Sequence, residues 1–231
     1  MILKGLQKTT LLDFPGKLAC TVFTGGCNFR CPFCHNASLV TRPSDVEEIS
    51  TESFFSYVSK RKNLLDGVCI TGGEPLLNKD IEDFIVRIRG LGLLIKLDTN
   101  GAFPDRLESL LDKGLIDYVA MDIKNSPEKY ALTAGLKDGF DISAIQRSID
   151  IIMKKAPDYE FRTTVVRELH DENDIRNITE WLQGTRKYFL QKYVDSGDIL
   201  CGGYSAYSDS EMLNLHTVAC QNLPCTVLRG V

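Results

Sequence analysis

The chain alternates short, continuous apolar runs with longer segments in which apolar residues recur every three or four positions. Continuous apolar runs of this kind are typical of strands that are buried on both faces of a parallel sheet. Six such strands are predicted, at residues 18–24, 68–71, 93–98, 116–121, 159–166 and 187–193. A seventh, edge strand is expected at residues 226–228.

The segments between these runs predict amphipathic helices, because their apolar residues fall on one face at helical spacing. The helices are expected at residues 50–65, 78–89, 104–114, 141–156 and 171–182, with a last helix after residue 208. Ser50 and Asn78 are suitable N-caps, and Pro104 suits a first helical turn. Ser208 and Glu211 have the spacing of a capping box.

Strands that alternate with helices at this spacing predict right-handed crossovers and a parallel sheet with the helices outside it. Six such units are too few for a closed eight-stranded barrel, so the expected fold is α/β, an open, partial (β/α)6 barrel of the TIM type. Residues 1–231 are expected to form one domain. In such folds the chemistry lies beyond the C-terminal ends of the strands.

Composition narrows the class of protein further. The chain has 231 residues, of which 43% are hydrophobic and 25% charged, and a net charge of −4, which is typical of a globular protein and argues against a nucleic-acid binder. No stretch of 18 apolar residues and no export signal is apparent, so a cytoplasmic protein without a membrane span is expected. The eight cysteines are then expected to be reduced thiols.

Three of these cysteines, Cys27, Cys31 and Cys34, have the spacing C-x3-C-x2-C directly after the first predicted strand. Thiolates are soft ligands, and the spacing suits either an iron–sulfur cluster with one open iron or a zinc ion that recruits a distant fourth ligand. Spacing alone favours the cluster, and unrelated thiols are the third alternative. Cys20 and Cys69 are expected in the core, whereas the spacing of Cys201, Cys220 and Cys225 matches no known second metal site.

Other polar and glycine residues follow the next predicted strands. Gly72 and Gly73 suit a tight turn, and Asp98 and Asp122 end consecutive strands, so their carboxylates could converge or simply cap helices and form salt bridges. Arg162 either faces the same region or forms a buried salt bridge. The histidines His170 and His216 are expected to be structural.

These segments, in this order, resemble the radical S-adenosylmethionine (SAM) enzymes, whose signature is C-x3-C-x-aromatic-C, with Phe33 as the aromatic residue here. The resemblance extends to the segments 34–36, 71–75, 98–101 and 121–124, which together resemble glycyl radical enzyme activases. The terminal segments Leu6–Gly16 and Val227–Gly230 are most similar to the anaerobic ribonucleotide reductase activating proteins.

The resemblance implies a site. Cys27, Cys31 and Cys34 would hold a [4Fe–4S] cluster, and SAM would be bound by residues of several loops, namely Phe33, His35, Asn36, Gly72, Gly73, Glu74, Asp122 and Lys124. Asp98, Thr99, Asp122 and the Ala120 carbonyl would hold a monovalent cation, Na⁺ or K⁺. No side chain beyond these is expected to be catalytic.

The implied reaction is reductive cleavage of SAM to a 5′-deoxyadenosyl radical, which takes hydrogen from a glycine of a partner enzyme, expected to be anaerobic ribonucleotide reductase. The electron would come from a donor such as flavodoxin or ferredoxin. Two alternatives are another activase, such as that of pyruvate formate-lyase, and a radical enzyme that acts on a small molecule. A non-catalytic iron–sulfur carrier or zinc module is a third, but it leaves the Gly-Gly-Glu segment and the paired aspartates unexplained.

Overall fold

In a computed structural model that describes residues 1–137 and 140–231, the chain forms one open sheet of eight strands. The order of the strands in the sheet is their order in the chain. The strands are β1 (Leu3–Thr10), β2 (Ala19–Thr24), β3 (Gly67–Gly72), β4 (Leu94–Thr99), β5 (Tyr118–Asp122), β6 (Asp158–Val165), β7 (Tyr188–Lys192) and β8 (Thr226–Arg229). Strands β2 to β8 are parallel to one another, and β1 is antiparallel to β2.

Strands β2 to β7 are the six predicted strands, and β8 is the predicted edge strand. The partial barrel of the TIM type is therefore confirmed, with one addition. Strand β1 was missed because its sequence, LKGLQKTT, has polar residues where a buried strand would have apolar ones. Its middle is exposed or half-buried at the sheet edge, so no continuous apolar run marks it.

Helices connect the successive parallel strands of the sheet. They are α1 (Ala37–Thr41), α2 (Thr51–Ser59), α3 (Ile81–Arg89), α4 (Pro104–Asp112), α5 (Tyr130–Thr133), α6 (Ser143–Lys155), α7 (Glu172–Trp181) and α8 (Asp209–Asn222). The predicted caps at Ser50 and Ser208 accept hydrogen bonds from backbone N–H groups, as expected. No helix in the described residues is both long and apolar enough to cross a bilayer.

Three details of the helix predictions were wrong. Helix α2 ends at Ser59 instead of residue 65, and Leu64 is exposed. Asn78 does not cap α3; it ends a short 3-10 turn at Pro75–Leu77, and the helix begins at Ile81. The short helices α1 and α5 were not expected, because four or five residues are too few for a periodic pattern to be visible.

The sheet is curved, and its concave face is polar toward the C-terminal ends of the strands. Arg162 of β6 reaches across β5 on this face to bind Asp98 of β4. Along β4, Ile95 and Leu97 face the helices and are completely buried, whereas Lys96 and Asp98 point to the concave side. A small apolar cluster fills the opposite end of the concave face, formed by Phe14, Ala19, Tyr118 and Ala120.

Candidate active site

A cavity of about 160 Å³ opens at the C-terminal ends of strands β2 to β6. Nearly all of the predicted site residues line it, namely Cys27, Cys31, Phe33, Cys34, His35, Asn36, Gly72, Gly73, Asp98, Thr99, Asp122 and Lys124. Asn100 and Arg162 line it as well, although neither had been assigned to the cofactor. Glu74 and Ala120 were expected at the site but are not part of the lining.

The cysteine loop lies between β2 and α1 and is held by backbone hydrogen bonds to its neighbours. Gly26 donates to the carbonyl of Leu39 at 2.9 Å, and Arg30 donates to the carbonyl of Ala134 at 3.0 Å. Cys34 donates to the carbonyl of Cys31 at 3.0 Å, which makes a turn that brings these two residues to the same side. The loop is therefore shaped by contacts outside the thiols themselves.

A late segment of the chain covers this loop. Asp198, which follows β7, accepts hydrogen bonds from the backbone and the hydroxyl of Ser38, the latter at 2.7 Å. The backbone of Cys201 donates to the carbonyl of Pro32 at 2.9 Å. We call residues 196–201 the cover segment.

All eight cysteines are free thiols. Burial raises the pKa of Cys31 to about 12 and also raises the pKa of Cys27. These thiols are therefore protonated at neutral pH unless a metal replaces the proton, and metal binding would release protons.

The donor set fits an iron–sulfur cluster. Three thiols, which are soft donors, line one cavity, and none of them is in a disulfide. Within the part of the chain that the structure describes, no three His, Cys, Asp or Glu side chains converge tightly enough to hold one ion. A cubane cluster does not require such convergence, because each thiolate binds a different iron atom.

The glycine pair lets the loop after β3 press against the cysteine loop. Gly72 has φ +120°, and a Cβ atom at Gly73 would lie only 1.9 Å from the carbonyl oxygen of Gly26. Asn36 donates to the carbonyl of Gly72 at 3.2 Å. Any side chain at Gly73 would push the two loops apart, so both positions need glycine.

Glu74 braces two loops instead of facing the cavity. Its side chain is completely buried and accepts hydrogen bonds from the backbone of Leu76 at 3.0 Å, from Thr99 Oγ1 at 2.9 Å and from the backbone of Asn100 at 2.7 Å. Burial raises the pKa of Glu74 to about 7. The structure thus places its carboxylate among structural partners.

Asp98 and Asp122 converge on Arg162, which lies between them, so the convergence and the salt bridges that were its alternative occur together. Arg162 Nε donates to Asp122 Oδ1 at 2.6 Å, and its terminal nitrogen donates to Asp98 Oδ2 at 3.1 Å. Lys96 forms a second ion pair with Asp98, and Lys124 Nζ binds Asp122 Oδ2 at 3.0 Å. Arg162 was expected either to face this region or to form a buried salt bridge, and it does both.

The neighbouring opposite charges keep the acidic and basic side chains of this group ionised. Burial by itself raises the pKa of Asp122, but the charges of Arg162 and Lys124 outweigh it and hold the pKa below its ordinary value. Burial disfavours the charged form of Lys124, yet Asp122 raises the pKa of Lys124 above its ordinary value. Both carboxylates are therefore ionised, and the cationic groups beside them stay charged.

An aromatic group borders the other side of the cysteine loop. The rings of Phe33 and Tyr193 meet edge to face at 6.4 Å between centroids, and His35 lies 5.6 Å from the same tyrosine ring. Burial lowers the pKa of His35, so its imidazole is neutral at pH 7. This side of the cavity suits a flat, weakly polar ring.

Three matches to known proteins accord with this arrangement. A family model described as the radical SAM superfamily matches residues 21–180. A protein of Methanocaldococcus jannaschii named "Putative glycyl-radical enzyme activating enzyme MJ1227" is 34% identical over 198 residues, which cover 83% of this chain and 80% of that protein. The pyruvate formate-lyase-activating enzyme of Listeria monocytogenes serovar 1/2a is 32% identical over 132 residues, 52% of each chain.

A solved structure agrees at the level of the fold. The radical SAM methyltransferase of Sphaerobacter thermophilus has a TM-score of 0.70 over 94% of this chain and 67% of that chain, at 14% identity. Because the family model spans more than half of the sequence and its signature cysteines line the cavity, this chain is an enzyme of the radical SAM superfamily.

Proposed function

We propose that this enzyme is a glycyl radical enzyme activase that cleaves SAM reductively and takes hydrogen from a glycine of a partner enzyme. The observation that carries the proposal is that one cavity brings together the three thiols, the glycine pair and the paired acids at the ends of β2 to β5. The relative from Methanocaldococcus jannaschii supports the activase class, because its match covers four-fifths of its length and its name is that of an activase.

Cys27, Cys31 and Cys34 would hold the [4Fe–4S] cluster, which supplies the electron for SAM cleavage when bound. The glycine pair allows the methionyl amino group to approach the backbone closely, and Lys124 and Arg162 offer positive charge to the methionyl carboxylate. Phe33, His35 and Asn36 would flank the adenine. The protein thus binds and orients SAM while the cofactor chemistry supplies the radical.

The ligand assignment predicts the iron content of cysteine variants. Replacing Cys27, Cys31 or Cys34 by alanine should remove most of the iron after anaerobic reconstitution, because a cluster with three protein ligands loses one-third of its protein bonds. Cys225→Ala is the matched control and should keep wild-type iron, since Cys225 contacts Thr185 instead. Full iron retention in any of the three loop variants would contradict the assignment.

A monovalent cation at Asp98, Thr99, Asp122 and the Ala120 carbonyl remains a prediction. Arg162 already bridges the two carboxylates, so an entering Na⁺ or K⁺ would have to displace the guanidinium from at least one of them. Asp122→Asn should weaken SAM binding by about tenfold while iron is retained. Mutation of residues that surround a bound metal ion typically has an effect of this size. SAM affinity that rises with Na⁺ or K⁺ concentration would support the ion, whereas a flat response would leave that role to Arg162.

We propose anaerobic ribonucleotide reductase as the partner, with a flavodoxin or ferredoxin as the electron donor and the cytoplasm as the compartment. The partner assignment is supported by the segments Leu6–Gly16 and Val227–Gly230, which resemble that activase group and contribute to the two edge strands of the sheet. Leu11 and Leu12 in the first of these segments are exposed. Pyruvate formate-lyase is the alternative partner, because the Listeria relative activates that enzyme by name.

Deuterium transfer tests the partner. The glycine Cα of the reductase would be deuterated, mixed with reduced enzyme and SAM, and the released 5′-deoxyadenosine analysed by mass spectrometry. Label is expected from the reductase, because the radical takes its hydrogen only from a neighbouring Cα. Label from deuterated pyruvate formate-lyase alone would show that the partner is that enzyme.

A further inference from the structure

Asn100 contacts the cysteine loop from the C-terminal end of β4. Its amide nitrogen Nδ2 lies 2.9 Å from Asn28 Oδ1 and 3.7 Å from Cys27 Sγ. An asparagine amide nitrogen carries two hydrogens, so Asn100 can donate one to each neighbour. The backbone nitrogen of Phe29 is a second donor to the same sulfur, at 3.4 Å.

The orientation of the Asn100 amide is set by its own loop. Asn100 Oδ1 accepts the backbone N–H of Ala102 at 3.0 Å, which identifies the other atom of the amide as the nitrogen. Asn100 is only 6% exposed, so water has little access to that nitrogen. The donor is thus directed at the cysteine loop.

Neighbouring elements hold this loop in place. Glu74 accepts the backbone N–H of Asn100 at 2.7 Å and the hydroxyl of Thr99 at 2.9 Å. Ser148 of α6 donates to the carbonyl of Gly101 at 2.6 Å. The amide therefore needs no rearrangement to reach the sulfur. Buried Glu74 stabilises the loop that carries this amide.

The three thiols differ in their surroundings. Cys31 Sγ lies 3.7 Å from the carbonyl oxygen of Ala134, which offers no hydrogen to a thiolate. Across residues 1–137 and 140–231, Cys27 is the one thiol of the three for which N–H donors are found. Asn100 is the side-chain donor among them.

We infer that Asn100 is a positioning residue that raises the reduction potential of the iron–sulfur cluster by donating a hydrogen bond to the sulfur of Cys27. This role depends on Cys27 being a cluster ligand, as proposed above, and not on the identity of the partner. Hydrogen bonds to cluster sulfurs set reduction potential, because they stabilise the more negative, reduced state more than the oxidised state. Without the donor, the cluster is harder to reduce.

The midpoint potential of the reconstituted cluster tests this role in the absence of SAM. Potentials would be measured by anaerobic titration monitored by electron paramagnetic resonance, in the wild type, Asn100→Leu and Asn28→Ala. Leucine has the branching and the number of side-chain heavy atoms of asparagine but no donor, so the potential of Asn100→Leu should be more negative than that of the wild type. Asn28→Ala removes the other acceptor of the Asn100 amide but keeps the bond from the Ala102 backbone that orients it, so its potential should stay closer to that of the wild type.

Iron content and circular dichroism show whether each variant is loaded and folded, and Asn100→Ala, which also lacks a donor, carries the same expectation if Asn100→Leu does not fold. Equal potentials of the wild type and a loaded Asn100 variant would overturn the role. An equal negative shift in Asn28→Ala would also overturn it, because disruption of the loop would then be the cause. A shift confined to the Asn100 variants supports it even if the deuterium experiment names another partner.

Discussion

His170 supports the site from outside the cavity. It is only 1% exposed, its Nε2 lies 2.8 Å from the carbonyl oxygen of Lys124, and its Nδ1 lies 3.1 Å from the backbone nitrogen of Val166. The Val166 N–H needs an acceptor, so the neutral ring accepts at Nδ1 and donates from Nε2. The histidine thereby fixes the backbone of Lys124, whose side chain lines the cavity.

Because of this residue, the free energy of unfolding should decrease as the pH is lowered. Burial lowers the pKa of His170 below its ordinary value of 6.5. Above pH 6.5 the ring is neutral in both states, whereas below it only the unfolded chain takes up the proton, so stability is lost as pH falls. The loss approaches, at most, about 1.4 kcal/mol per pH unit.

Urea unfolding of the wild type and His170→Gln between pH 7.5 and 5 measures this effect. Glutamine keeps a donor near the Lys124 carbonyl but does not titrate, so the variant should be less stable at pH 7.5 and have a shallower pH dependence. Parallel pH dependence in the two proteins would argue against a buried neutral ring.

At the scale of single elements, the edge strand β8 is attached to the barrel interior by one ion pair. Arg229 donates two hydrogen bonds to Glu160 of β6, at 2.8 and 2.7 Å, and stacks on the ring of Phe189. Glu160 is 1% exposed and also accepts the hydroxyl of Tyr118 at 2.9 Å. In addition to its pairing with β7, this strand of four residues with an exposed Val227 is therefore held by a buried carboxylate.

Arg229→Gln should destabilise the protein by about 2–3 kcal/mol, because it leaves Glu160 charged, buried and without its main partner. The value is below that of a fully buried pair, since one-third of the Arg229 side chain is exposed. Arg229→Lys keeps the charge but not the paired donors and should lose less. Chemical denaturation measures the free energy of unfolding of both variants. The double variant Arg229→Gln, Glu160→Gln should recover part of the loss. Equal stability of the lysine and glutamine variants would contradict the ion-pair account.

The elements also show what sequence patterns can predict. Strands β2 to β7 were found because strands buried on both faces are continuously apolar, and the cysteine loop was found because its spacing is local. Strand β1 escaped because it is a half-exposed edge. The contacts of Arg162 with Asp98 and of Asn100 with Cys27 join residues 64 and 73 positions apart, and no local sequence pattern marks pairs that distant.

For the whole molecule, the agreement of strand order with chain order affects the order in which the sheet can form during synthesis. Each strand pairs with the one synthesised just before it, so the sheet can grow from the N-terminus during translation without waiting for distant partners. By residue 100 the chain has made the three loop cysteines, the glycine pair and Asn100. The cover segment at residues 196–201 is made only after β7, so the cysteine loop is complete well before the contacts of Ser38 and Pro32 with that segment can form.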